Sequence, residues 1–136
     1  MEAKLRGKMP IVTGASSGAQ RLCAVTLQKN ANPAGFDKDP AIDTSDLIAQ
    51  SGGEAIFWQT DISNVEQIQA AFVAALSTFG RIDIVVNCAS YWALFRKFAE
   101  EDDELWTKMP AVNTLGTVRM NRLAMKQFLK QDVDEN

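Results

Sequence analysis

Residues 12–20 read Val12-Thr13-Gly14-Ala15-Ser16-Ser17-Gly18-Ala19-Gln20 and place two glycines between two unlike segments. A short apolar run, Ile11-Val12, precedes the glycines, and an amphipathic stretch starts at Ala19. Glycine lets the backbone approach a ligand closely, and the free N–H groups of a following helix point at negative charge. The turn therefore suits a nucleotide diphosphate. Two glycines before a helix also make an ordinary turn, so the stretch by itself leaves both interpretations open.

The composition is that of one globular domain. The chain has 136 residues, of which 46% are hydrophobic and 23% are charged, and this is enough for one core. A net charge of -3 gives no basic surface to neutralise a phosphate backbone, so we expect no nucleic-acid partner. No apolar run approaches the roughly 20 residues of a membrane span. Residues 1–10 are too polar for the core of a secretory signal, and we therefore expect a cytoplasmic protein that does not bind membranes.

Cysteine and histidine usage excludes several kinds of site. Cys23 and Cys88 lie far apart in the sequence, without CxxC spacing, and the chain contains no histidine. A zinc site and a histidine-based catalytic triad are therefore not expected, and no metal site is predicted. Both cysteines are interpreted as small buried thiols.

Apolar runs and amphipathic stretches alternate along the chain, which is typical of an α/β protein with a parallel sheet. The predicted strands cover residues 7–14, 32–37, 55–59 and 82–87, and the predicted helices cover residues 18–29, 44–50, 65–80 and 106–128. Proline is disfavoured inside a central strand, so Pro10 predicts that the first strand begins only at Ile11. Gly52-Gly53 and Gly80 predict the ends of two helices, because glycine accepts a left-handed turn.

Three further features concern helix ends. Ser63 and Glu66 fit a capping box at the start of the helix over residues 65–80. The acidic run over residues 100–104 is interpreted as a solvated helix start, with a carboxylate metal cluster as the alternative. Pro110 is expected to break a turn of the last helix.

Four segments resemble motifs of the short-chain dehydrogenase/reductase family. They are Thr13-Gly14-x-x-x-Gly18, the pair Asp61-Ile62, Asp83-Ile84-Val85-Val86-Asn87-Cys88-Ala89-Ser90 and Val112-Asn113-Thr114-Leu115-Gly116-Thr117. The family reads Asp-x-x-Val-Asn-Asn-Ala-Gly in the third of these and Val-Asn-x-x-Gly-Thr in the fourth. The chain departs from the family at Gln20, Cys88 and Ser90, which stand where the family has glycine, asparagine and glycine.

The resemblance implies a partial Rossmann-type fold. Its doubly wound parallel sheet would have strand order 3-2-1-4 with helices on both faces, and residues 1–136 would form a single, incomplete NAD(P)-binding domain. Dinucleotides bind such a sheet where strands one and four diverge. Asp37 follows the glycine turn by about 20 residues, where a carboxylate accepts hydrogen bonds from an adenosine ribose. It would repel a 2′-phosphate, which favours NAD over NADP, although Lys38 leaves room for NADP and a solvated loop acid remains the alternative.

The resemblance also assigns site residues. Those assigned to the cofactor are Gly14, Ser16, Ser17, Gly18, Ala19, Asp37, Asp61, Ile62, Asn87, Ala89 and Arg122. Asp61 would accept a hydrogen bond from the adenine amino group, with the Ile62 backbone completing the contact, or would simply lead into the next helix. Asn87 would hold the central sheet and the ribose region of the cofactor.

The last two assigned residues lie on the final predicted helix. Arg122 would lie near the cofactor, or would be an ordinary solvated arginine. Asn113 matches the catalytic asparagine of the family, whose backbone helps to hold a water in the proton relay.

The other catalytic residues of the family are absent from these 136 residues. Tyr91 is the only tyrosine, and Phe95 stands four positions after it, so there is no Tyr-x-x-x-Lys pair in which a lysine lowers the pKa of the phenol. The resemblance therefore covers the N-terminal, cofactor-binding half of the family and predicts a truncated chain with an unidentified small-molecule substrate. The fourth strand would present an unpaired edge, which predicts self-association or binding to a full-length relative.

Three functional hypotheses follow from the sequence. The chain is an oxidoreductase that transfers hydride between a nicotinamide and a carbonyl or alcohol, and it is either a fragment or depends on residues supplied elsewhere. Alternatively, it is a module that binds NAD(H) without catalysis, or a remnant without function. The missing tyrosine and lysine predict that the chain alone is not catalytically competent.

Overall fold

The computed structural model describes residues 7–15, 42–50, 52–92 and 97–131. The predicted helix over residues 18–29 and the predicted second strand over residues 32–37 lie outside the described residues. So do five of the predicted cofactor residues, namely Ser16, Ser17, Gly18, Ala19 and Asp37.

Two short strands form a parallel sheet. They are β1, Pro10–Val12, and β2, Ile84–Val86. The register pairs Pro10 with Ile84, Ile11 with Val85 and Val12 with Val86. The first and fourth predicted strands are therefore neighbours, and β2 is shorter than the predicted strand over residues 82–87. The described residues contain no third strand, so they do not show the complete order 3-2-1-4.

The expectation that the first strand begins at Ile11 is wrong, because β1 begins at Pro10. A proline is tolerated as the first residue of a strand, where its missing N–H costs least. The preceding residue compensates for it. The Met9 carbonyl accepts a hydrogen bond from the Asp83 N–H at 2.8 Å, and the Met9 N–H donates to Asp83 Oδ2 at 2.8 Å.

The predicted third strand over residues 55–59 is not a strand in the structure. Its three large apolar side chains are exposed, with Ile56 at 41%, Phe57 at 73% and Trp58 at 52% of the full accessible area. A strand exists only where another backbone completes its hydrogen bonds. The segment that the predicted order puts beside it, residues 32–37, lies outside the described residues.

Helices α1, Thr44–Gln50, and α2, Val65–Phe79, confirm the predicted positions. After α1, the Gly53 N–H bonds to the Ile48 carbonyl and the Gly52 N–H bonds to the Ala49 carbonyl, with Gly52 at φ 78°. This pair of bonds is the Schellman ending that glycine favours. Gly80 ends α2 in the left-handed conformation, at φ 77°.

The predicted capping box of Ser63 and Glu66 is not present in the structure. Asn64, not Ser63, caps the helix, because its side chain accepts a hydrogen bond from the Gln67 N–H at 3.0 Å. The Gln67 side chain in turn accepts from the Asp61 N–H at 2.7 Å. Asparagine caps helices as well as serine does, and this choice leaves the Ser63 hydroxyl free for another bond.

The last part of the chain is a long, nearly continuous helical rod. A 3₁₀ turn, Phe98–Glu100, precedes α3, Asp103–Pro110, and the Asp102 side chain caps α3 by accepting from the Leu105 N–H at 2.9 Å. The acidic run is thus a helix start, as predicted. A π-helical segment, Ala111–Gly116, then leads into α4, Thr117–Phe128. Pro110 has no N–H to offer the preceding turn, so the helix widens there rather than stopping.

Apolar clusters lie on both faces of the sheet. The larger cluster has a buried centre of Ile62, Ile68, Phe72, Ile82, Met120 and Ala124, and Ile11 and Val85 pack against it. The smaller cluster is centred on Ile48 of α1 and includes Val12. Successive side chains of a strand point to opposite faces, so α2 and α4 cover one face of the sheet and α1 covers the other. Helices on both faces are the arrangement of a doubly wound α/β fold.

Candidate functional site

The turns that follow β1 and β2 are bonded to each other. Thr13 follows β1, and its Oγ1 accepts hydrogen bonds from the Cys88 and Ala89 N–H groups, both at 3.0 Å. The Thr13 N–H donates to the Val86 carbonyl at 3.0 Å. A single threonine therefore holds the carboxyl ends of both strands together, and this is the edge where ligands of parallel sheets bind.

Gly14 brings two stretches of backbone into contact at this edge. Its φ is 69°, and a Cβ atom at this position would lie 3.0 Å from both the Cα and the N atom of Ala89. Two features thus require glycine here, the left-handed conformation and the space. The predicted glycine turn is present as far as Ala15, whose carbonyl accepts a hydrogen bond of 2.6 Å from the Thr44 hydroxyl at the start of α1.

Asp61 and Ser63 form a tight polar turn before α2. Asp61 Oδ1 accepts two hydrogen bonds from Ser63, from the backbone N–H at 2.8 Å and from the hydroxyl at 2.7 Å. No described residue donates to Asp61 Oδ2. The Ile62 side chain, by contrast, points into the larger cluster and is 4% exposed, so only the backbone of Ile62 is available to a ligand.

The carboxyl of Asp61 is held in its ionised form. The Ser63 hydroxyl, and then the Ser63 backbone N–H, lower the pKa of Asp61, and they outweigh the small effect of burial. Lys108 adds a further electrostatic attraction. The geometry leaves a carboxylate with one oxygen oriented by Ser63 and the other without a donor among the described residues.

Asn87 lies directly after β2 and faces α4. Its Nδ2 donates to Asn121 Oδ1 at 2.7 Å, which ties the turn to that helix. Its own Oδ1 is buried without a hydrogen-bond partner in the described part of the chain. A buried, unpaired acceptor is energetically unfavourable and is satisfied by a ligand or water that donates to it. The predicted contact of Asn87 with a ribose hydroxyl stays a prediction.

The Asn113 side chain binds the backbone of Tyr91, in the loop that follows the β2 turn. Its Oδ1 accepts from the Tyr91 N–H at 2.7 Å, and its Nδ2 donates to the Tyr91 carbonyl at 3.0 Å. Its backbone carbonyl accepts from the Thr117 hydroxyl at 3.1 Å. The residue lies in the π-helical segment, and segments of this kind occur frequently at functional sites. Lys108 lies above the Tyr91 ring, with Nζ 4.4 Å from the ring centre.

Gly116 allows α4 to approach the Asp61–Ser63 turn. A Cβ atom on Gly116 would lie 2.9 Å from the side chain and from the carbonyl oxygen of Ile62. On the same side, Nη1 of Arg119 donates a hydrogen bond to the Ser63 carbonyl. The glycine of the Val-Asn-x-x-Gly-Thr motif therefore positions the turn that precedes α2.

A cavity of about 370 Å³ lies beside these turns. Gly14, Ile62 and Ala89 line it together with apolar side chains of the core, and its volume is in the range of small-molecule sites. Arg122 does not line this cavity and is exposed on α4. Asp61 lies in a shallow depression next to it, with Thr60 and Gln67.

Sequence reasoning missed four residues that shape the site. They are Thr13, Tyr91, Arg119 and Asn121. Thr13 stands inside the quoted motif, and Asn121 follows Asn113 by eight residues, a spacing that places both near one helix face and was available as a signal. The contacts of Tyr91 and Arg119 join distant parts of the chain and leave no local pattern.

The described residues contain no group of three or more metal-ligating side chains that could hold an ion. In the same part of the chain, no helix combines the length and the apolar character needed to cross a membrane.

Comparison with known proteins gives one consistent result. A family model described as short chain dehydrogenase matches residues 8–133. A short chain dehydrogenase/reductase of Aspergillus oryzae is 34% identical over 131 residues, which are 93% of this chain and 50% of the relative. Glucose 1-dehydrogenase 2 of Bacillus subtilis is 30% identical over 145 aligned positions, covering 100% of this chain and 54% of that protein.

A solved structure of a short chain dehydrogenase is also similar to this chain. The crystal structure of a short chain dehydrogenase from Mycobacterium avium superposes with a TM-score of 0.73 at 25% identity, over 91% of this chain and 47% of that chain. The chain thus spans about half the length of the relatives that it matches.

Proposed function

Because the chain belongs to the short-chain dehydrogenase family, we propose that it binds NAD(P) as the cofactor-binding part of an oxidoreductase. The single observation that carries this proposal is the Gly14 turn, which lies backbone to backbone against Ala89 at the carboxyl ends of two parallel strands. A side chain added at Gly14 would meet the Ala89 backbone. Gly14 and Ala89 would face the pyrophosphate and its adjoining ribose, where close approach of backbone matters most.

The remaining described residues would hold the other parts of the dinucleotide. Asp61 Oδ2 would accept from the adenine amino group, and the Ile62 backbone would complete that contact. Asn87 Oδ1 would accept from a ribose hydroxyl, since it lacks a partner in the described residues. We include Ser16, Ser17, Gly18, Ala19 and Asp37 in the proposed site from the sequence pattern, and Arg122 at its exposed margin.

We further propose NAD rather than NADP as the preferred cofactor, because the Asp37 carboxylate repels a 2′-phosphate. The proposal includes strand order 3-2-1-4 within a single domain over residues 1–136. It also includes a cytoplasmic location and contact with a full-length relative or a second copy along the outer edge of β2.

The proposed reaction is hydride transfer between the cofactor and a carbonyl or alcohol, and the nicotinamide supplies the hydride chemistry when it is bound. Asn113 is the described residue that the family motif assigns to catalysis, and its side chain fixes the Tyr91 loop near the site. The 136 residues hold no Tyr-x-x-x-Lys pair, so we do not expect turnover by these residues alone.

Isothermal titration with NAD and with NADP tests this proposal, using Gly14→Ala against Gly80→Ala. Both glycines have positive φ, 69° and 77°, so both variants carry the same conformational cost. Only at Gly14 would the new Cβ meet other atoms within 4 Å. We expect Gly14→Ala to weaken NAD binding by about tenfold or more, equal to about 1.4 kcal/mol, and Gly80→Ala to leave it within about twofold.

The opposite outcomes contradict the proposal. Absence of NAD and NADP binding by the unchanged protein would overturn it. Equal losses in the two glycine variants would show that Gly14 affects only the stability of the fold.

A further inference from the structure

Arg119 lies in the first turn of α4, half-buried, and donates from Nη1 to the Ser63 carbonyl. The two residues are 56 positions apart in the sequence. A hydrogen bond from a charged guanidinium is about twice as strong as one between neutral groups. Arg119 therefore fixes the Ser63 end of the polar turn from outside the turn itself.

Ser63 transmits this restraint to Asp61. Its N–H and its hydroxyl both donate to Asp61 Oδ1, at 2.8 and 2.7 Å, so the plane of the carboxylate follows the orientation of Ser63. Asp61 Oδ2 has no donor among the described residues. A displacement of Ser63 would thus redirect the one oxygen that a ligand could use.

The other supports of the turn contact different groups. Gln67 accepts from the Asp61 N–H, and Gly116 packs against Ile62. The Asn64 N–H closes the turn by donating to the Asp61 carbonyl at 3.0 Å. Among the described residues, Arg119 supplies the side-chain hydrogen bond that Ser63 receives from another element, α4.

We propose that Arg119 is a positioning residue for recognition of the adenine base, since it holds Ser63 and Ser63 aims the Asp61 carboxylate at the adenine amino group. This inference rests on the proposed function, in which Asp61 faces the base. It adds a residue outside the four motifs of the family resemblance, and it makes selectivity for the base, rather than affinity for the dinucleotide as a whole, the property that Arg119 controls.

The test compares NAD with nicotinamide hypoxanthine dinucleotide, in which a carbonyl oxygen replaces the amino group of adenine. A carboxylate attracts the amino group and repels the oxygen, so the ratio of the two dissociation constants reports on the polar contacts to this edge of the base, including that of Asp61. Contacts to the diphosphate and the riboses cancel in this ratio. A purely structural effect of a substitution would weaken both ligands equally and leave the ratio unchanged.

Titrations should use the full chain unchanged and with Arg119→Met, Arg119→Lys and Lys126→Met. Lys126 is exposed on the same helix, so its replacement removes the same charge without touching the turn. We expect the unchanged protein and Lys126→Met to prefer NAD by about tenfold or more, because a hydrogen bond to a charged group is stronger than one between neutral groups. Arg119→Met should reduce the preference below about threefold, and Arg119→Lys should retain an intermediate preference because lysine keeps the charge but not the planar donor.

Three outcomes overturn the inference. If Arg119→Met keeps the full preference for NAD, or loses affinity for both dinucleotides by the same factor, Arg119 does not position Asp61. If Arg119→Met does not fold, Arg119→Lys decides by the same ratio. If the unchanged protein binds neither dinucleotide, the proposed function is overturned, and the inference with it.

Discussion

Asp83 joins the starts of the two strands through three donors. Its carboxylate accepts from the Met9 N–H at 2.8 Å and from the Arg81 guanidinium, with the shortest contact, Nη2 to Oδ1, at 2.7 Å. Burial by itself would raise the pKa of Asp83, but the bonds from Arg81 and Met9 outweigh it and hold the pKa below its usual range. The carboxylate is therefore a stabilising group whose contribution depends on pH.

We predict that Asp83→Asn destabilises the fold by about 1–3 kcal/mol at neutral pH, because a charged acceptor is lost from a largely buried position. In the folded state the pKa of Asp83 lies below 3.8, the usual value of an aspartate, so its contribution is present above that pH. The contribution is lost as the pH falls through the lower, folded pKa. Urea unfolding at several pH values should therefore show a difference between the two proteins that shrinks below pH 3.8.

Glu54 is exposed and provides the control. Glu54→Gln removes one carboxylate from the surface and should leave the free energy of unfolding nearly unchanged. A loss in Asp83→Asn that stays constant down to acid pH would show that the effect is steric and does not come from charge.

At the scale of elements, the contact between α4 and the turn before α2 depends on the absence of a side chain at Gly116. A Cβ there would meet Ile62 at 2.9 Å, including the backbone oxygen, which cannot rotate away. The helix must therefore move outward to accept any larger residue. Because Arg119 lies one turn further along the same helix, such a movement also strains its bond to Ser63.

We predict that Gly116→Ala destabilises the protein by about 1–3 kcal/mol, although alanine is favoured over glycine in a helix by about 1 kcal/mol. Thr114→Ala is the matched variant, since Thr114 is exposed on the same π-helical segment and should tolerate the change. Chemical denaturation of both variants measures the difference. Stabilisation by Gly116→Ala would mean that helix propensity dominates and that the contact with Ile62 is not close.

Helices were predictable where a periodic apolar pattern ended at a glycine. Both α1 and α2 follow from such patterns, with Gly52 and Gly80 in the left-handed conformation that ends them. The strand over residues 55–59 was wrongly predicted because an apolar run does not specify which backbone completes its ladder. The sequence could not predict that Asn64 rather than Ser63 caps α2, because both residue types cap helices well.

The candidate site was only partly predictable. Motif spacing predicted Gly14, Asp61, Asn87 and Asn113 as site residues, and in the structure the first three lie in turns and Asn113 lies in the π-helical segment. It could not identify the donors that orient them, because the bonds of Arg119 to Ser63 and of Asn113 to Tyr91 join residues far apart in the sequence. Such contacts are decided by packing of the π-helical segment and α4 on the strands.

At the scale of the whole molecule, the site forms only when distant segments pack together. The site residues come from four places in the chain: the turn after β1, the turn before α2, the turn after β2 and the last helical segments. The cavity of about 370 Å³ borders both these turns and the core. The proposed dinucleotide binding therefore requires the folded chain. A ligand that binds the folded state raises its stability by RT ln(1 + [L]/Kd).

The most direct test of the central claim is thermal unfolding of the 136-residue protein alone, with millimolar NAD and with millimolar NADP. We predict one cooperative transition whose midpoint rises with both cofactors and rises more with NAD. A ligand at about 100 times its Kd adds about 2.7 kcal/mol, which is a shift of several degrees for a domain of this size. A transition that neither cofactor moves, or the absence of a cooperative transition, would contradict the claim that this chain forms a dinucleotide site.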